Sequence, residues 1–183
     1  CWLVVMAPLL IRWPRCSPTP SSPKVAPMSN AAAAYEILKA QEGADEGTGE
    51  WFEITQEQIG QFADCTHDHQ FIHLDAERAT PLFGGTIAHG FLSLSMLVHL
   101  SSTVPNNTPP LSGVMMGINY GFDKVRFINP VLSGRRVRAH STVKSVELKG
   151  SAINQTRTFT VEIEGDDKPA LVADWIGRMV FDS

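Results

Sequence analysis

Residues 88–100, AHGFLSLSMLVHL, have the length of a helix, and their apolar side chains leave no polar stripe: Phe91, Leu92, Leu94, Met96, Leu97, Val98 and Leu100 cover every face. A helix apolar all round is a buried one. In a chain of 183 residues, burial on all sides needs a sheet that wraps around the helix. The second half of the sequence supplies it, with strands expected over 114–119, 121–127, 136–147, 153–164 and 170–181. Val137, Ala139, Ser141 and Val143 alternate with Arg136, Arg138, His140 and Thr142, while Phe159, Val161 and Ile163 alternate with Thr158, Thr160 and Glu162. Such alternation marks half-buried antiparallel strands. Gly150 and Gly165-Asp166-Asp167 sit where the last three strands must reverse. The expected class is α+β, an antiparallel sheet wrapped around a long central helix.

The first half is read from its caps and breakers. Ser29-Asn30 caps a short helix over 31–40, and the Gly- and acid-rich stretch 43–49 reads as a linker. Residues 51–54 form a short strand, and Thr55-Gln56-Glu57-Gln58 has the form of a capping box that opens a helix to about Asp64. Asp75 caps a further turn over 76–79, and 80–86 is a loop punctuated by Pro81 and Gly84-Gly85. Residues 1–27 stand apart, with Arg12, Arg15 and Lys24, no acid, and a Pro- and Ser-rich second half. The apolar run 2–11 is too short to span a bilayer. The choices are a cleavable leader, an organelle-targeting remnant, or upstream reading frame ahead of a start at Met28, and the last is favoured. The expected organisation is therefore 1–27 as a leader or non-native extension, 28–50 as helix and linker, and 51–183 as one domain.

A net charge of −4 without any basic stripe argues against nucleic acid as a partner. Three scattered cysteines, Cys1, Cys16 and Cys65, form no disulfide framework and no metal spacing. That favours a reducing compartment, and a cytoplasmic location is expected, with organelle targeting by 1–27 left open. Cys65 is read as a structural helix residue and not as a nucleophile.

Chemistry concentrates in 62–99. Asp68 and His73 lie on a segment with little helical periodicity, so the backbone can turn both side chains toward one point and hold a water between them. An imidazole and a carboxylate so placed can exchange protons at neutral pH. Gly90 opens the apolar helix, where free backbone N–H groups can meet a substrate oxygen with no side chain in the way. Blander readings stand beside these. Asp68 could simply cap a turn and His73 sit half-exposed on a strand; His89 could anchor the turn before the helix; His67 and His69 could face solvent. His67, His69, His73 and His89 invite a metal reading, but the spacing offers no convincing third ligand and no metal is expected. Arg126, Arg135, Arg136 and Arg138 read as a solvated sheet face.

Asp68-His69-Gln70-Phe71-Ile72-His73-Leu74-Asp75, then Phe83-Gly84-Gly85-Thr86-Ile87-Ala88-His89-Gly90, then Asn119 through Phe127 with Pro130-Val131, occur in an order that resembles the MaoC-like dehydratase family of (R)-specific enoyl-CoA hydratases, within it the NodN-like branch. The broader family has Gly before the Asp and Asn-Pro between Asp and His; here His67, Gln70 and Phe71 stand at those places. The resemblance implies the hot-dog fold and a hydro-lyase that adds water across trans-2-enoyl-CoA thioesters, or removes it from 3-hydroxyacyl-CoA. It implies Asp68 and His73 as the catalytic pair, and Gly90 with His89 and Gln70 as the oxyanion and substrate-binding set. It also implies no metal or organic cofactor, an acyl-CoA or acyl-carrier-protein substrate, and a homodimer joined edge to edge. Two other functions stay open on the residues alone: a hot-dog thioesterase, and a protein that binds acyl thioesters without turning them over.

Overall fold

The computed structural model describes residues 29–182, so the extension 1–27 and the proposed Met28 start lie outside the described residues. In chain order the elements are α1 (Asn30–Lys39), β1 (Asp45–Thr48), β2 (Phe52–Glu53), α2 (Gln56–Thr66), α3 (Phe71–Leu74), α4 (Ala76–Phe83), α5 (Gly90–Ser95), α6 (Leu97–Ser102), β3 (Val114–Phe127), β4 (Arg136–Lys149), β5 (Ala152–Ile163) and β6 (Leu171–Phe181). Among the described residues no helix is long and apolar enough to cross a membrane.

The strands form one antiparallel sheet in the order β1-β4-β5-β6-β3, with β2 also paired to β4. Hairpin turns at Gly150 and Gly165 take positive φ of 64° and 79°, the left-handed geometry that glycine adopts without strain. The alternation read from β4 and β5 holds: Val137, Ala139, Ser141 and Val143, and likewise Phe159, Val161 and Ile163, are buried on one face. That inner face packs against Leu92, Leu97 and Leu100 of α5 and α6 and against Ile54 and Ile59. Burial of each such side chain stabilises the fold by about 1.5–3 kcal/mol, which makes this helix-on-sheet layer the main source of cohesion. A second cluster joins Ala31, Ala34 and Leu38 of α1 to Val143, Val146, Ile153 and Phe181 at the far end of the sheet.

The caps behave as local chemistry dictates. Ser29 Oγ accepts from the Ala32 N–H, Thr55 and Gln58 make a reciprocal capping box, and Asp75 accepts from the Arg78 N–H.

Five expectations need correction. The stretch 43–49 is no mere linker: Asp45–Thr48 pairs with β4, and Glu46 reaches across to Ser141 and Arg157. The helix over 88–100 is divided at Met96 into α5 and α6, and it is not buried on all sides, because Phe91 and Val98 are 68% and 57% exposed. One sheet covers one side of a helix, and the opposite apolar side is left open. Strands 114–119 and 121–127 are a single strand, β3, whose irregular register around Asn119 and Asp123 and left-handed Lys124 (φ 53°) absorb the break expected at Tyr120-Gly121. The loop 80–86 is helical as far as Phe83 with Pro81 inside, and the helix stops at left-handed Gly84. Finally, His73 lies on a one-turn helix, α3, too short to show any period in sequence.

His67 ends α2 in the left-handed region, φ 59° and ψ 23°, where a Cβ is strained and glycine is not. His67→Gly should therefore stabilise the fold by about 1 kcal/mol, raising the melting temperature by about 2–4 °C. A calorimetric scan that shows no rise would mean that His67 makes a compensating contact.

Candidate active site

The site is assembled by the turn between α2 and α3 and by the extended peptide that leads into α5. The Ile87 peptide is pinned on both sides: its N–H donates to the Ile72 carbonyl at 3.0 Å, and its own carbonyl accepts from His73 Nδ1 at 2.7 Å. Ala88 N–H donates to Val131 O and Ser133 N–H to Thr86 O, so residues 86–88 run as a short bridge between α3 and the loop before β4. From α2, Gln56 adds an amide bond of 2.8 Å to the His73 carbonyl. His73, 5% exposed, thus has its backbone and one ring nitrogen fixed.

With Nδ1–H committed to Ile87, the neutral ring carries a bare lone pair on Nε2. Burial pushes the His73 imidazole below its ordinary value of 6.5, although the bond to Ile87 acts the other way. Asp68, half-exposed, receives the Gln70 amide at 3.1 Å, and that hydrogen bond holds its carboxyl below the usual carboxylate range. At neutral pH the pair therefore presents two acceptors.

His89 completes the cluster. It is 3% exposed; its Nε2–H donates to the Asp68 backbone carbonyl at 3.0 Å, and its ring stacks on His73 with centroids 3.6 Å apart and planes 24° from parallel. Phe62 of α2 closes the far side at 5.1 Å. His89 Nδ1 is buried and has no hydrogen-bond partner among the described residues. Asp68, His73 and His89 each bring one oxygen or nitrogen within 4.8 Å of the others. A shared ion would need the two ring lone pairs to converge, whereas nearly parallel stacked rings aim them side by side.

Of the residues singled out from sequence, Asp68, His73 and His89 come together, Gln70 braces Asp68, and Gly90 follows directly as the first residue of α5. As the first helical residue, Gly90 has an N–H with no partner inside the helix. His69 turns away to Asp64 at 2.9 Å, and Cys65 is exposed. Arg135, Arg136 and Arg138 pair with Asp166, Glu164 and Glu162, a solvated ladder as expected. Sequence reading missed Phe127, whose ring would lie 3.1 Å from any Cβ added at Gly90. An aromatic at the end of β3 carries no local signal of that contact.

The sequence pattern of the MaoC like domain matches residues 39–164. The chain belongs to the MaoC-like family. It is 46% identical over 143 residues to nodulation protein N of Rhizobium leguminosarum bv. viciae, covering 76% of this chain and 87% of that protein. It is 47% identical over 145 residues to 3-hydroxyacyl-thioester dehydratase Z of Mycobacterium tuberculosis, covering 78% and 93%. Among solved structures it is similar to the monoamine oxidase regulatory protein of Archaeoglobus fulgius, with a TM-score of 0.64, 26% identity, and coverage of 78% of this chain and 92% of that one. The (R)-hydratase of A. caviae shares the fold, with a TM-score of 0.56, 21% identity, and coverage of 71% and 94%. The helix-on-sheet architecture of this MaoC-like chain is accordingly the hot-dog fold.

Both lowered pKa values have the same sign for pH. Below about pH 6.5 the unfolded chain binds a proton that the native His73 resists, and further down the same holds for Asp68. Native stability thus falls as pH drops through these values. Activity that needs both groups unprotonated should persist below pH 6.5, with the acid limb of kcat/KM under the ordinary histidine value. A limb at or above that value would show that His73 is not held neutral.

Proposed function

We propose that this chain adds water to trans-2-enoyl-CoA thioesters to give (R)-3-hydroxyacyl-CoA, and catalyses the reverse dehydration. The observation that carries this is the pair of unprotonated acceptors, the Asp68 carboxylate and the His73 imidazole, gathered with His89, the residue that precedes Gly90 at the start of α5. A water donating one hydrogen to each acceptor turns its oxygen lone pair toward substrate. The C3–O bond forms as one of the pair takes a proton. Negative charge moves through C2 to the thioester oxygen, where the Gly90 N–H meets it, and the proton is then delivered to C2. Dehydration retraces these steps. The reaction as written draws on these groups alone, with the CoA thioester as substrate. Membership of the MaoC-like family and the likeness to a protein named as a 3-hydroxyacyl-thioester dehydratase support the reading.

The test is loss of ultraviolet absorbance on mixing purified protein with crotonyl-CoA, followed by chiral analysis of the product. An (R)-3-hydroxy product upholds the assignment. Release of free thiol would instead make the chain a thioesterase, and binding without turnover would make it a carrier.

The working unit in this reading is a homodimer. Among the described residues β3 pairs only with β6, so its other edge is free, and the strand exposes Val114, Met115, Met116, Ile118, Tyr120 and Phe122. A second copy paired along β3 would cover it and wall the site from solvent. Light scattering on dilute protein should give the mass of two chains; one-chain mass with full activity would place the whole site in the monomer.

A further inference from the structure

We propose that the inner face of the sheet holds a second ligand pocket, apart from Asp68 and His73, that takes the carboxylate end of an aliphatic chain. A cavity of about 690 Å³ lies beyond the C-terminal end of α6, bounded by the segment that follows that helix and by β3, β5 and β6. Its volume is in the range of small-molecule sites. None of Asp68, His73, His89 or Gly90 lines it.

Val104, Leu111 and Ile118 give it apolar walls, but the sheet contributes Gln155, Arg157 and Trp175. Elsewhere the buried residues of this face are apolar apart from Ser141, whose hydroxyl is matched by Glu46. Gln155 is 3% exposed, and its amide nitrogen is buried without any hydrogen-bond partner among the described residues; the Trp175 indole nitrogen is in the same condition. Buried donors are nearly always matched, so two unmatched ones in a single cavity point to an acceptor that belongs there. Beside them, Arg157 pairs through its Nε with Glu46 at 2.9 Å, which neutralises the two charges. Both buried unmatched nitrogens of this set are donors. The ligand must therefore offer acceptors, and a carboxylate, with about four lone-pair sites, can accept from both. The apolar walls set the rest of the ligand as an alkyl chain.

Binding does not depend on the reaction proposed above, so the test needs no turnover. Sodium decanoate titrated into the full chain in a calorimeter should bind saturably at one site, and decylamine, of equal length but with a donor head, should not. Gln155→Leu and Trp175→Phe should each weaken decanoate by ~10-fold or more. Gln155→Leu should not melt lower, because an unmatched buried donor has been removed, whereas Trp175→Phe should lose some stability through its packing on Phe122 and Phe159. No saturable binding, equal binding of the amine, or two variants that bind as the parent does would each overturn the proposal. A free acid and the carboxylated far end of a thioester's own chain share this chemistry. A trans-2-enoyl-CoA whose ten-carbon chain ends in a carboxylate separates them. Displacement of decanoate assigns the pocket to the tail of the substrate, and simultaneous binding assigns it to a free acid; either result upholds the pocket.

Discussion

Asp68→Asn and His73→Ala should each lower turnover ~10²-fold or more, because each removes one of the two acceptors that hold and deprotonate the water in the proposed reaction. Their effects on stability should differ. Asp68 is half-exposed and bonded only to the Gln70 amide through its side chain, so asparagine keeps the shape and the melting temperature stays near the parent's. His73 is buried, donates to Ile87 and stacks on His89, so alanine also orphans a carbonyl and should destabilise by about 1–3 kcal/mol. Assayed well below either melting point, both should still be nearly inactive. Rates within a few-fold of the parent for both variants would remove the pair from the chemistry.

Gly90→Ala is the second large effect. The added methyl would sit 3.1 Å from Cγ and Cδ1 of Phe127, tighter than such atoms normally approach. Phe127 meets Phe91 edge-on at 5.7 Å, so the strain divides between moving that aromatic pair and shifting the first turn of α5. Any shift of the helix carries the Gly90 N–H away from the place proposed for the thioester oxygen. Displacement of about 1 Å can cost ~10²-fold in rate, and kcat/KM should fall by a factor between ~10 and ~10². Adding Phe127→Leu to the same chain should restore part of the loss by making room. An alanine variant that works as well as the parent would mean that the carbonyl lies elsewhere.

Local chemistry was legible and tertiary pairing was not. The Thr55–Gln58 box, the Ser29 and Asp75 caps and the β4 and β5 alternation each depend on residues a few positions apart, and each stands where expected. Asp68 and His73 could be paired from spacing because a short turn joins them. The stacking of His89 on His73 could not, since it depends on the Ile87 peptide being bonded to Ile72 on one side and His73 on the other. β1 was invisible for a similar reason: Asp45-Glu46-Gly47-Thr48 has no strand composition, and only the backbone of β4 and the partners of Glu46 make it one. Apolarity also could not separate core from uncovered surface, and Phe91 and Val98 read the same as Leu97.

The two margins of the sheet are unequal. On one side β4 is capped by β1 and β2, strands of 4 and 2 residues, the first with a register shift between Asp45 and Gly47. On the other, β3, 14 residues long and paired with β6 on one side, has an outer edge with no partner among the described residues. A building block with a socket at only one end cannot polymerise: once two copies meet along β3, both remaining margins are the blunt kind, and there is no place for a third. In the proposed dimer, growth into fibres, the hazard of any long exposed strand, would thereby be closed off by the short acidic stretch at the opposite end of the sheet.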